Sequence, residues 1–196
     1  NGNYFRGGDM HYVDQNGDHR IDSKDRVALG SAAPDFFGGF YTQFKYKGFA
    51  LGAEFSYSKG NMAYNAVRNQ LEGMNTLGNQ SIAVLNRWSL DGQVTDMPRV
   101  QHNDPYRSTS FSERWLEDAS YLRMKSVTLS YSFNKTVLNF FRSGTLYVSG
   151  ENLLTATKYL GLDPEFSYSY SETSQGLDYA KMVQPKSVKF GVNLKF

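Results

Sequence analysis

The stretch DQNGDHRIDSKD holds the densest run of chemistry-bearing residues in the chain. On a twelve-residue calcium-loop template Asp14 takes position 1, Asn16 position 3 and Asp18 position 5. The carbonyl of Arg20 falls at position 7, Asp22 at 9 and Asp25 at 12. Calcium requires six to eight oxygens, and carboxylates at alternating positions of a wrapping loop supply them. Ile21 stands at position 8, where an apolar residue anchors such a loop. Two positions depart from the template. His19 occupies position 6, where glycine would make the sharp turn, so a non-glycine residue must take an unfavoured backbone conformation. Asp25 replaces the longer glutamate and has less reach. With no flanking helices evident, the spacing predicts a structural calcium ion rather than a regulatory switch. The competing reading is a solvated Asp/Asn/Gly turn.

Other chemistry is sparse. The three histidines, His11, His19 and His102, lack the i, i+4 spacing of a zinc helix, and neither a nucleophile elbow nor a phosphate loop occurs. There is no cysteine, which excludes disulfides and thiolate metal sites. Glu117 and Asp118 are adjacent, hence on opposite faces of any strand. No enzyme is expected. A net charge of +2, with Lys and Arg scattered among carboxylates, gives no reason to expect nucleic acid.

The elements that must carry these residues read as strands. In FFGGFYTQFKY, Phe36, Gly38, Phe40, Thr42, Phe44 and Tyr46 share one face, and Phe37, Gly39, Tyr41, Gln43 and Lys45 the other. After Lys47 and Gly48 the alternation resumes through Phe49, Leu51, Ala53, Phe55 and Tyr57, which predicts a tight hairpin. VTLSYSF and GTLYVSGENLL continue it. The last run sets Val188, Phe190, Val192, Leu194 and Phe196 against Ser187, Lys189, Gly191, Asn193 and Lys195. Each run is about ten residues, the length a tilted strand needs to cross a bilayer. A soluble sandwich would alternate as well.

The connections separate the two cases better. Those at 46–48 and 134–143 are short, whereas those at 1–35, 59–120 and 155–185 are long, and short alternates with long. Outer-membrane barrels are built this way, with short periplasmic turns and long extracellular loops. Within 59–120, Val67, Leu71 and Met74 could line one short helix and Ile82, Leu85 and Trp88 another. Strand aromatics such as Phe36, Phe40, Phe49, Phe55, Tyr57 and Phe133 would face lipid. Trp88, Tyr106, Trp115, Tyr168 and Tyr170 would either pack within loops or stack on a ligand. Arg123 and Lys125 share sequence parity with Val127 and Leu129, so they should lie above the hydrocarbon band or beyond a bulge.

Several segments together resemble one family, the SusC-like (RagA-like) TonB-dependent transporters of Bacteroidetes outer membranes. GDMHYVDQNGDHRIDSKDRVALGSAAPDFFGGF is similar to that family's acidic loop before a late strand. ERWLEDASYLRMKSVTLSYSF resembles its next signature, with Ala119 where glycine is commoner, and LYVSGENLLTATKYLGLDPE its penultimate-strand motif. The resemblance implies an all-β fold: about five C-terminal strands of a 22-stranded transmembrane antiparallel barrel in the cell outer membrane. Residues 1–35 would be an extracellular loop with the calcium motif, and 36–196 barrel strands with long loops at 59–120 and 155–185. Five strands cannot close, so the isolated segment should not fold stably.

The resemblance also implies function. The family imports oligosaccharides, sometimes peptides, beneath a SusD-like surface lipoprotein and draws energy through TonB, whose binding segment would lie upstream. The alternating strand ending in Phe196 resembles the signal read by the outer-membrane assembly machinery. Lumen candidates are Gln43, Lys45, Glu54, Ser56, Thr128, Lys189 and Asn193. Two alternatives stay open: a soluble, secreted calcium-binding module that binds carbohydrate through its aromatic loops, and a passive porin.

Overall fold

The computed structural model describes residues 6–134, 142–166 and 175–195. Phe196, Tyr168 and Tyr170 lie outside the described residues. Five long strands form one antiparallel wall: β1 (Phe36–Tyr46), β2 (Phe49–Lys59), β5 (Tyr121–Asn134), β6 (Ser143–Thr157) and β8 (Ser187–Lys195), in the order β1-β2-β5-β6-β8. Three short strands make a second sheet, β4 (Leu116–Asp118), β3 (Met62–Asn65) and β7 (Leu177–Asp178), in the order β4-β3-β7. The β3–β7 pair is parallel.

The hairpin of β1 and β2 closes at Lys47 and Gly48, with φ of 43° and 88°. Two successive left-handed residues match the twist of the strands they join, which is why so short a link suffices. Its register runs from Phe36↔Lys59 to Tyr46↔Phe49 without a shift.

Residues directly opposite in an antiparallel pair share a face, so the register sorts every wall residue. One face carries Phe40, Phe44, Phe49, Leu51, Phe55, Leu129, Tyr131, Leu146, Val148, Phe190 and Val192. Its rings pair across strands: Phe40 stacks on Phe55 at 4.8 Å and Phe49 lies 4.6 Å from Tyr131. Most of these side chains are exposed, Phe190 by 82%, and Phe55, Tyr131 and Val148 are half-buried. The opposite face is polar, and Thr128–Ser149 (2.9 Å), Ser132–Thr145 (3.1 Å) and Lys189–Glu151 (2.5 Å) bond across it. Gly191 lets the ring of Tyr147 lie against this face, for a Cβ there would come within 2.1 Å of Tyr147 Cζ.

The wall strands are longer than the ten-residue runs suggest: β5 has 14 residues and β6 15. Both extend past a break in register between Met124 and Ser126. There Lys125 is bulged out, and Arg123, pairing with Ser56 and Thr155, falls on the polar face.

The buried apolar core lies outside the wall altogether. Among the described residues it comprises Ala63, Ala66, Met74, Val84, Met97, Trp115, Ala119 and Tyr159, all in the connections. The stretch 59–120 is therefore a packed cap. Its helix α1 (Ala66–Glu72) starts where Asn65 accepts the Arg68 N–H at 2.8 Å and ends before Met74. The second expected helix is a single 3₁₀ turn, Ile82–Asn86, capped by Ser81. No helix among the described residues is long and apolar enough to cross a membrane.

Candidate functional site

All three long connections leave the same end of the wall, and there they fuse. The first is tied in at Asp9, whose buried carboxylate takes the Arg99 Nε at 2.5 Å and the Gln101 amide. Trp88 lies flat against Gly7 and Gly8, where any Cβ would strike its ring. Met62 donates its N–H to the Ser31 carbonyl at 2.8 Å and Tyr64 to the Gly176 carbonyl at 2.6 Å, so β3 joins the first and third connections.

At the centre Trp115, 1% exposed, sits between the guanidinium groups of Arg68 and Arg114, 5.6 and 5.0 Å from its ring. Arg68 bonds Glu72 at 2.9 Å and Glu117 at 2.9 Å. Burial alone would lower its pKa, but the two carboxylates win and raise it. Arg114 faces no such pair, and burial followed by the nearby Arg68 charge pulls its pKa down. The other oxygen of Glu117 accepts the Leu160 N–H at 2.8 Å, which links the second connection to the third. Tyr159 donates to the buried Asp178 at 2.6 Å; burial, then this carboxylate, raises the phenol pKa.

Between 10–30 and 105–116 the cap opens into a cleft of about 1290 Å³. Tyr12, Arg26, Arg107, Phe111 and Leu116 line it. Phe111, stacked on Tyr64 at 4.7 Å, divides it from a smaller hollow beside Met62 and Gly176. The cleft offers an aromatic ring, hydroxyls and guanidinium groups: equipment for gripping a ligand.

The calcium-motif residues share one exposed loop. Asp14 accepts the N–H groups of Gly17 and His19, both at 2.7 Å, while Asn16 and Asp18 accept those of Asp18 and Arg20, each at 2.9 Å. Asp25 accepts from Gln15 at 2.9 Å and Asp22 at 2.7 Å, and Asp22 caps Lys24 at 2.7 Å. His19 has φ 62°, the left-handed backbone that position 6 requires. The donor set is thus oxygen-rich. In this arrangement the carboxylates serve backbone N–H groups. Among the described residues no three His, Cys, Asp or Glu side chains converge as metal ligands.

Of the loop aromatics, Trp88 and Trp115 are packing residues, and Tyr106 lies 5.5 Å under Arg99. In the terminal strand Val188, Phe190, Val192 and Leu194 pair with Gly150, Val148, Leu146 and Gly144 on the apolar face. Every lumen candidate, from Gln43 to Asn193, lies on the polar face. The ionic cluster of Arg123, Lys125, Asp163 and Glu165 went unread in the sequence. Its signal was Arg-x-Lys interrupting an apolar alternation, which marks a bulge.

No family model matches the chain. It is 33% identical over 197 residues to TonB-dependent receptor P3 of Formosa agariphila, an alignment taking 97% of this chain and 19% of that protein. TonB-dependent receptor SusC of Bacteroides thetaiotaomicron is 26% identical over 188 residues, 94% of this chain and 17% of that one. Among solved structures, the RagAB peptide transporter superposes with a TM-score of 0.75 at 28% identity, covering 90% of this chain and 19% of the other. The RagAB peptide importer in its open-open state gives 0.72 at 29% identity, with the same coverage. The chain thus spans about a fifth of the length of the relatives it matches.

Proposed function

We propose, from the premise that the chain is a SusC/RagA-like fragment, that it builds the C-terminal wall and part of the extracellular mouth of a TonB-dependent outer-membrane transporter. The observation that carries this reading is the two-faced sheet. A continuous, largely exposed aromatic and aliphatic face stands back to back with a hydrogen-bonded polar one, and among the described residues the buried apolar core lies in the connections. Water would penalise such a face heavily, whereas lipid accommodates it. A soluble sandwich would cover that face with a second sheet, which favours the barrel over a secreted carbohydrate-binding module. The complete barrel would have 22 strands, with the edges of β1 and β8 paired to strands elsewhere in the chain.

Cargo would be an oligosaccharide or a peptide, admitted under a SusD-like lipoprotein and drawn in through TonB. The RagAB peptide importer and transporter support a peptide, and an oligosaccharide rests on the family resemblance. A plug upstream would distinguish this transporter from a passive porin. The strand ending at Phe196 would serve the assembly machinery. Calcium would be held by oxygens of Asp14, Asn16, Asp18, Asp22 and Asp25 with the Arg20 carbonyl, and would stiffen the loop over the cleft.

The test uses the intact parent polypeptide extracted from outer membranes in mild detergent, run unheated and boiled on a denaturing gel. A mobility shift on boiling is expected of a closed barrel. Soluble protein with no shift would overturn the transporter reading.

A further inference from the structure

The wall reaches into the third connection with one buried cation. Arg123 is 3% exposed, and each nitrogen of its guanidinium has its own partner. Nε donates to Thr155 of β6 at 3.1 Å, Nη1 to Glu165 at 2.9 Å and Nη2 to Asp163. Lys125 adds bonds of 2.6 and 2.8 Å to Glu165. Asp163 in turn gathers both ends of the connection. One oxygen takes the Glu165 N–H at 2.9 Å, the other the Gln184 N–H at 3.1 Å. Beyond Gln184, the Pro185 carbonyl accepts from Asn152 of β6 at 3.2 Å.

We propose that this cluster is a latch: Arg123, aimed at the polar face by the bulge at Lys125, pins both ends of the third connection to the wall and so fixes the cap upon it. The geometry gives the carboxylate and the guanidinium one job each, and the connection does the rest. Asp163 closes the connection on itself, Arg123 binds that closed base to β5 and β6, and the connection carries β7 into the cap sheet beside β3. A guanidinium suits this role because its planar fork serves several acceptors at fixed angles, which an ammonium cannot do. The bulge is essential, because without it Arg123 would stand on the apolar face. The latch makes this side of the mouth a stationary rim, whatever moves elsewhere in the receptor. It depends on the barrel reading only for its setting.

The test is hydrogen exchange on the intact receptor in detergent, comparing wild type with Arg123→Met. The reporters are the Gln184 amide, bonded to Asp163, and the Tyr64 amide, bonded to Gly176. Hydrogen bonds to charged groups contribute about 1.5–3 kcal/mol, so exchange at both amides should quicken roughly ten- to hundredfold. The boiling-dependent gel shift and exchange in the β1–β2 hairpin should stay unchanged. Asp163→Asn, which keeps the side chain's shape, should quicken the same amides. A receptor that retains the gel shift in either variant with unaltered exchange at Gln184 and Tyr64 overturns the latch. Failure of both variants to assemble also overturns it, since a latch on the rim is not needed for strands to pair. Loss of the gel shift in the wild type would instead strike at the barrel reading.

Discussion

At His19 the backbone takes a conformation that glycine adopts freely and other residues resist. Asp14 holds it there by accepting the His19 N–H at 2.7 Å. Replacing His19 with Gly should therefore stabilise the loop by about 1 kcal/mol, the usual left-handed penalty. It should slow proteolytic cleavage within 14–25 of the intact receptor several-fold. The acid end of the same loop makes a second prediction. The Asp22 N–H foremost, with those of Gln15 and Asn16, holds the Asp25 carboxyl below the usual carboxylate range, against the opposing effect of desolvation. A carboxylate whose folded pKa is depressed stabilises the fold at every pH above its unfolded value. That contribution fades as pH falls through the folded value. Cleavage in the loop should stay flat from neutrality down to about pH 4 and then rise. Asp25→Asn should raise it at neutral pH and weaken the acid dependence. A profile that begins to climb near pH 6 would assign the effect to a histidine instead.

Strand by strand, the wall makes its own case, since neighbours one residue apart face different solvents. Val192 pairs with Leu146 on the apolar face and Asn193 with Thr145 on the polar one. Val192→Arg should destabilise the folded barrel by up to about 2–4 kcal/mol if the position lies near the bilayer midplane. Asn193→Arg should be close to neutral. Comparing the folded fraction by gel shift after partial urea denaturation measures both, and equal losses would mean that β8 does not face lipid. This two-facedness was legible in the sequence because a strand's side-chain period is two, with one face mainly apolar and the other mainly polar. The hairpin was legible for the same reason, with Lys47 and Gly48 closing it. Where the period slips, the reading divided. The sequence set Arg123 above the hydrocarbon band or beyond a bulge, and pairing with Ser56 and Thr155 selects the bulge, which turns it to the polar face. A bulge adds one residue whose position no alternating pattern can locate unaided.

Taken whole, the molecule has a wall that gathers its apolar side chains on one exposed face and a cap that buries a small core of its own while leaving Leu77, Ile82 and Val94 exposed. The cap was the less legible half. Its core is assembled from residues as far apart as Ala63 and Tyr159, which lie on a four-residue strand and in irregular chain, where no pattern repeats. Trp115 in particular offered two readings, ligand platform or packing, and nothing local in ERWLED decides between them. The decision lies in Arg68, held by Glu117, and Arg114 closing on the ring. This division predicts how the protein yields. Trp115→Ala should cost the cap about 3–5 kcal/mol, as large-to-small core changes do, while leaving the β-ladder of the wall intact. In the intact receptor the variant should keep its boiling-dependent gel shift, yet lose protease resistance between 60 and 120 and bind its cargo poorly. If the gel shift and protease resistance fell together, wall and cap would be one cooperative unit. The connections would then be as necessary to the barrel as its strands.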